Sequence, residues 1–199
     1  MSNAFWSNYV LNTKIAHWAV FCYSIFMNKT IFITGVSGVG KTTIIDELKP
    51  LLDSSFQIHD FDERGVPDNV DRQWRLDETQ HWLELGKQNG ENGLTTIICG
   101  FSSPKEIGNQ ENVKLILLDA DELTIRQRLN KRYQVPGSVE GLERTAAKPL
   151  EQFIDENINY ASVIRSEAQE YGVDIIDTSE KTPDQVAKQI ISTIYSYYA

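Results

Sequence analysis

A short apolar run that breaks into a glycine-rich turn and then a helix constrains this chain more than any other feature. Thr30-Ile31-Phe32-Ile33-Thr34 is rich in β-branched residues and reads as a buried strand. Gly35-Val36-Ser37-Gly38-Val39-Gly40-Lys41-Thr42 follows and fits G-x-x-x-x-G-K-[ST], the pattern of a backbone loop that cradles phosphates. Thr43 to Lys49 then reads as a helix that stops at Pro50 or just after it. Gly35, Gly38 and Gly40 let the backbone take positive φ and approach an anion closely. The turned backbone from Gly35 to Thr43, with Val36, Ser37 and Val39 in it, aims N–H groups at the anion. The helix N-terminus adds its partial positive charge. Lys41 brings a mobile full charge to the β- and γ-phosphates, and the Thr42 hydroxyl is the expected Mg²⁺ ligand.

The remaining sequence sets this element in an alternating order. Phe56 to His59 reads as a second strand, residues 71–89 as a helix, and Leu94 to Cys99 as a third strand closed by Gly100-Phe101-Ser102-Ser103-Pro104. Val113 to Leu118 is a fourth strand, followed by a helix over about 121–132. Residues 133–148 hold Pro136, Gly137 and Gly141, and Pro149 follows, which predicts an irregular excursion. A helix over 150–171, a strand over 173–176 and a last helix opened by Thr182-Pro183 complete the chain. Strands alternating with helices predict an α/β fold, a five-stranded parallel sheet with helices on both faces. Ligands of such folds sit at the carboxyl ends of the strands.

The phosphate loop in this setting resembles that of P-loop NTPases. The layout of residues 28–199 is similar to the nucleoside-monophosphate kinase and shikimate kinase group of small P-loop kinases. In that group the fourth strand ends near Leu-Asp, and the next helix carries two arginines four apart before a mobile lid. Here Leu118-Asp119 precedes Arg128 and Arg132. The resemblance implies that Arg128 packs on adenine, that Arg132 reaches the transferring phosphate, and that residues 133–148 are the lid. Arg144 is the remaining basic candidate there. Two arginines at i, i+4 share a helix face, and a planar guanidinium can stack on a base or fork onto phosphate oxygens. The plainer alternative is a solvated basic face at a helix C-terminus.

Asp60 and Asp62 flank Phe61, so in an extended segment both carboxylates point one way, into the crevice that holds the phosphate loop. The pair is similar to the Asp-x-Asp of shikimate kinases, which implies Asp60 beside Mg²⁺ and Asp62 on the acceptor hydroxyl. The helix over 71–89 lines the acceptor pocket in this group. By that resemblance Arg64 and Arg75 clamp an acidic acceptor, Trp82 stacks on its ring and Gly100 lines the site. The alternative for Trp82 is a core position covered by the Arg75 stem. Cys99-Gly100-Phe101 matches only part of the Asp-Gly-Phe-Pro-Arg of nucleoside-monophosphate kinases, because cysteine replaces the Asp and no arginine follows. The glycine triplet of shikimate kinases is also missing. Cys99 reads as a structural thiol.

Composition narrows the partners. The net charge of −9 opposes sequence-independent nucleic-acid binding, and two cysteines make no disulfide framework. The low cysteine count points to a cytoplasmic protein. Residues 1–26 differ from the rest: they hold seven of the twenty aromatic residues, one basic residue, Lys14, and no acidic one. Their apolar part, Ile15 to Phe26, falls short of the roughly 20 residues of a membrane span. Three readings stand for this extension: a start assigned too early, with Met27 the real one, a docking helix, or a membrane-surface anchor. Residues 27–199 form the predicted kinase domain. Asp62-Glu63-Arg64-Gly65 fits a GTPase switch pattern, but Asn130-Lys131-Arg132-Tyr133 lacks the Asp of a guanine-reading motif. The expected activity is Mg²⁺-dependent transfer of the ATP γ-phosphoryl group to a small acceptor, a nucleoside, nucleotide or other hydroxyl compound. Lys41, Asp62 and Arg132 would act at the transfer itself. The alternative is an NTP-binding or ATP-hydrolysing switch that acts through a partner.

Overall fold

A computed structural model describes residues 29–197 of the chain. The aromatic extension, with its three readings, lies outside the described residues. Five strands, β1 (Thr30–Thr34), β2 (Phe56–Asp60), β3 (Thr95–Cys99), β4 (Val113–Asp119) and β5 (Asp174–Asp177), form one sheet in the order β2-β3-β1-β4-β5. Every pairing is parallel, with Ile31 opposite Ile97 on one side and Lys114 on the other. The helices are α1 (Lys41–Leu48), α2 (Arg72–Glu91), α3 (Pro104–Ile107), α4 (Glu122–Arg132), α5 (Ser138–Ala146), α6 (Leu150–Glu170) and α7 (Pro183–Ser196). A single 3₁₀ turn, Lys49–Leu51, ends α1 at Pro50.

Alternation along β1 divides the core. Ile31 and Ile33 join a large cluster with Ile44, Leu48, Ile164 and Ile190. Phe32 points the other way, into a smaller cluster with Ile98, Phe61, Trp82 and Ile107. All five residues of β1 and all five of β3 are buried, as a strand covered on both faces requires. The segment before α2 ends at Asp71, whose carboxylate accepts from Trp74 N at 2.8 Å and caps the helix. Thr182 and Gln185 form a capping box on α7, with Pro183 in its first turn. No helix among the described residues is long and apolar enough to cross a membrane.

Two local expectations are corrected. Residues 133–148 are not an irregular excursion: α5 occupies Ser138–Ala146. Gly137, at φ 82°, and Ala147, at φ 53°, bound this helix with left-handed turns. Gly137 and Pro149 mark helix starts, whereas Gly141 lies within α5. Leu142 is buried and anchors it. The turn after β3 also holds a short helix, α3, started by a Ser103–Glu106 capping box that the neighbouring Pro104 disguises in the sequence.

Helix α2 crosses β1 where Gly86 meets Thr30. A Cβ on Gly86 would lie 2.0 Å from Thr30 Oγ1. Gly86→Ala is therefore expected to destabilise the protein by about 1–3 kcal/mol in urea titration despite the better helix propensity of alanine. Adding Thr30→Ala should recover part of that loss. Equal stability of wild type and Gly86→Ala would contradict this packing.

Candidate active site

The turn that leaves β1 is held from behind. Gly35, at φ 150°, passes so close to β4 that a Cβ there would lie 2.4 Å from Leu118 O. Gly40 takes φ 104° as the N-cap of α1. A loop that turns its N–H groups outward leaves its carbonyls facing the protein, and here they are satisfied one by one. Lys41 Nζ donates to Gly35 O at 2.7 Å and Val36 O at 2.8 Å. Arg128 Nη1 donates to Gly38 O at 3.3 Å and Val39 O at 3.4 Å. Thr178 Oγ1 lies 3.0 Å from both Val39 O and Asp119 O. Ser37 N donates to Asn157 Oδ1 on α6 at 2.9 Å.

Above this loop lies a cleft of about 1410 Å³. Every predicted loop residue from Val36 to Thr43 lines it, as do Asp60, Asp62, Arg75, Gly100, Arg128 and Arg132. Gly35 sits behind the loop wall. Asp62 N donates to Asp60 Oδ1 at 2.9 Å, which fixes the turn beyond β2 and leaves the other Asp60 oxygen open. Phe61, between them, is buried and donates its N–H to Cys99 O at 2.9 Å. Gly100 has no side chain because Phe61 occupies the space: a Cβ there would lie 2.0 Å from Phe61 Cβ.

The charges of the cleft act on one another. Burial at its base pushes the Lys41 pKa down to about 8, with Arg132 adding to the effect and Asp62 and Asp60 opposing it. The crowded cleft wall raises the Asp62 pKa, helped by the Asp60 charge and opposed by Lys41 and Arg132. Burial pushes the Cys99 thiol up to about 12, as expected of an inert structural thiol. Arg132 is exposed, and its guanidinium carbon lies 5.6 Å from the centre of the Tyr133 ring.

Three predicted site residues are placed otherwise. Trp82 is 1% exposed, and its Nε1 donates to Phe61 O at 3.1 Å. It is core and cannot stack on a ligand, because α2 turns that face onto β1 and β3. Arg64 does not line the cleft: it pairs with Glu78 at 3.0 Å. Arg75 does line it, but Nε and Nη2 bond Glu106 at 3.4 and 3.3 Å while its plane covers the Phe101 ring at 5.1 Å. Arg128 lines the cleft with its donors committed to the loop and to Thr178 O at 2.7 Å, so its first role is to brace the phosphate loop. Arg144 pairs with Asp68 at 2.7 Å. Asn69 N and Val70 N donate to Arg144 O and Thr145 O, which docks α5 on the segment after β2. Asn157 and Thr178 escaped the sequence reading because their partners are 120 and 139 residues away and neither belongs to a local motif.

Solved structures share this architecture. A sugar kinase from Janibacter sp. HTCC2649 superposes with a TM-score of 0.54 at 20% identity, covering 86% of this chain and 98% of that one. Shikimate kinase from Aquifex aeolicus gives 0.54 at 16% identity, covering 84% and 97%. The Mycobacterium tuberculosis APS kinase, solved with AMPPNP and APS, gives 0.52 at 14% identity, covering 85% and 98%. No curated protein matches by sequence. The fold is thus that of P-loop small-molecule kinases. The AAA domain family matches residues 31–148, from β1 through the phosphate loop to the end of α5, and the chain belongs to that family.

Proposed function

We propose that this protein is an ATP-dependent kinase that moves the γ-phosphoryl group to a hydroxyl of a small acceptor. The observation that carries the reading is the meeting of a braced phosphate loop and the Asp60–Asp62 pair at one cleft, which Lys41 and Arg132 also line. Phosphoryl transfer asks mainly for positioning and charge neutralisation, and these side chains supply both.

Thr42 and Asp60 fit a Mg²⁺ ion. The Thr42 hydroxyl is exposed and has no partner among the described residues, and one Asp60 oxygen is open. Both are hard oxygen donors, and among the described residues no three His, Cys, Asp or Glu side chains cluster. That matches an ion held by few protein ligands and completed by phosphates and water. When bound, Mg²⁺ neutralises charge on the β- and γ-phosphate oxygens.

The chain's own groups divide the remaining work. The loop N–H groups and Lys41 hold the triphosphate. Asp62 orients the acceptor hydroxyl and takes its proton as the oxygen attacks phosphorus. The bond from phosphorus to the β–γ bridging oxygen breaks, and its electron pair leaves with ADP. Arg132 faces the transferring group from the end of α4, and closure of α5 excludes water.

Three outcomes follow for purified protein. Lys41→Ala should lower kcat by about 100-fold or more while retaining the wild-type circular dichroism spectrum. Asp62→Asn should lower kcat by about 100-fold with the ATP Kd within a factor of about two, because general-base loss touches chemistry rather than nucleotide binding. Unchanged turnover in either variant contradicts the assignment. The pH dependence has a defined sign. Raising pH through about 8 removes the Lys41 proton from the free protein, so nucleotide affinity should fall by up to about tenfold per unit above that point. On the acid side, kcat should fall at a pH above the ordinary carboxylate range, as Asp62 protonates. Titration calorimetry and a pH–rate profile read the two limbs.

A further inference from the structure

The acceptor side of the cleft carries a chemical signature of its own. Its walls are Trp74 and Arg75 on α2, Phe101 after β3, Leu142 on α5 and Tyr160 on α6. The aromatic rings are fixed against neighbours. Trp74 meets Phe61 edge-on at 6.1 Å, and Phe101 meets Tyr160 at 5.5 Å. Two basic side chains reach this half, and each already holds a carboxylate. Lys148 pairs with Glu156. Arg75 pairs with Glu106, which Arg72 also holds at 3.1 Å, and the Arg75 plane lies on Phe101. Arg64, the other cation near the segment after β2, is turned onto Glu78. At the transfer end stand two carboxylates, Asp60 and Asp62. A phosphate or carboxylate on the acceptor would bring a like charge toward that pair, and would meet Arg75 and Lys148 already paired with carboxylates, while Arg132 faces the transferring group. A like-charge juxtaposition is strongly disfavoured at a buried contact. Aromatic walls with a few polar groups instead favour a flat ring bearing hydroxyls.

We propose that the acceptor is an uncharged, ring-bearing alcohol of the nucleoside or glycoside type, and that Glu106 enforces this choice by occupying Arg75. The inference rests on the kinase reading and narrows it. The reaction is then hydroxyl to phosphomonoester: the acceptor oxygen bonds the γ-phosphorus, its proton passes to Asp62, and ADP leaves.

The test compares matched pairs: neutral nucleosides with their 5′-monophosphates, and monosaccharides and aryl glycosides with the corresponding sugar phosphates. Each is titrated calorimetrically into the full chain with a non-hydrolysable ATP analogue and Mg²⁺, and each is assayed for ADP formation with ATP. The best uncharged compound should exceed its phosphorylated partner in kcat/KM by about 100-fold, the scale set by an uncompensated charge. Glu106→Gln frees the Arg75 fork and keeps a residue that serves a capping box, so that ratio should shrink by at least about tenfold. A wild-type preference for phosphates or carboxylates, or an unchanged ratio in a folded Glu106→Gln variant, overturns the inference. Preferential binding of uncharged ring alcohols with no ADP formation from any of them overturns the kinase reading and leaves the pocket assignment standing. Failure of both classes to bind overturns the pocket assignment.

Discussion

The structure depends on satisfying the back of one loop. A backbone that turns its N–H groups toward an anion must bury its carbonyls, and a buried carbonyl without a donor costs about 1–3 kcal/mol. Here Lys41, Arg128 and Thr178 meet the carbonyls of Gly35, Val36, Gly38 and Val39. Asn157 holds Ser37 N from the opposite flank. These partners come from α1, α4, α6 and the end of β5, so the loop is the place where distant elements converge. Its rigidity is a property of the whole fold, and a loop set before the ligand arrives loses less freedom on binding.

The same bracing explains why Lys41 carries two roles. Its ammonium closes the loop from inside, at the cost of burial that lowers its pKa to about 8. A triphosphate would offer it a full negative charge in the same neighbourhood. Arg132, four residues after Arg128, has no such engagement with the loop and stays exposed at the mouth of the cleft. One arginine of the pair thus braces the loop while the other lines the cleft without bonding it.

Much of this was legible in the sequence because it is local. The strand–loop–helix of residues 30–48, the parallel alternation and the Asp60–Asp62 pair all follow from short-range pattern and chain order. Other features are decided by long-range contact. Trp82 reads equally as a stacking platform or as core, and only the packing of α2 on Phe32 and Ile98 settles it. Arg64 and Arg75 read as a clamp until Glu78 and Glu106, 14 and 31 residues away, are seen to hold them. Pro136, Gly137 and Gly141 read as an irregular excursion, although residues 138–146 form a helix that Leu142 anchors.

Arg75 in the cleft is paired with Glu106, while Asp60 and Asp62 line the same cleft as the phosphate loop. The most direct measurement follows the γ-phosphorus itself by ³¹P NMR, with ATP, Mg²⁺ and a mixture of uncharged ring alcohols. A new phosphomonoester resonance growing in step with ADP is the predicted result. Loss of ATP to inorganic phosphate alone, at a rate no acceptor alters, would contradict phosphoryl transfer and make the protein a nucleotide hydrolase.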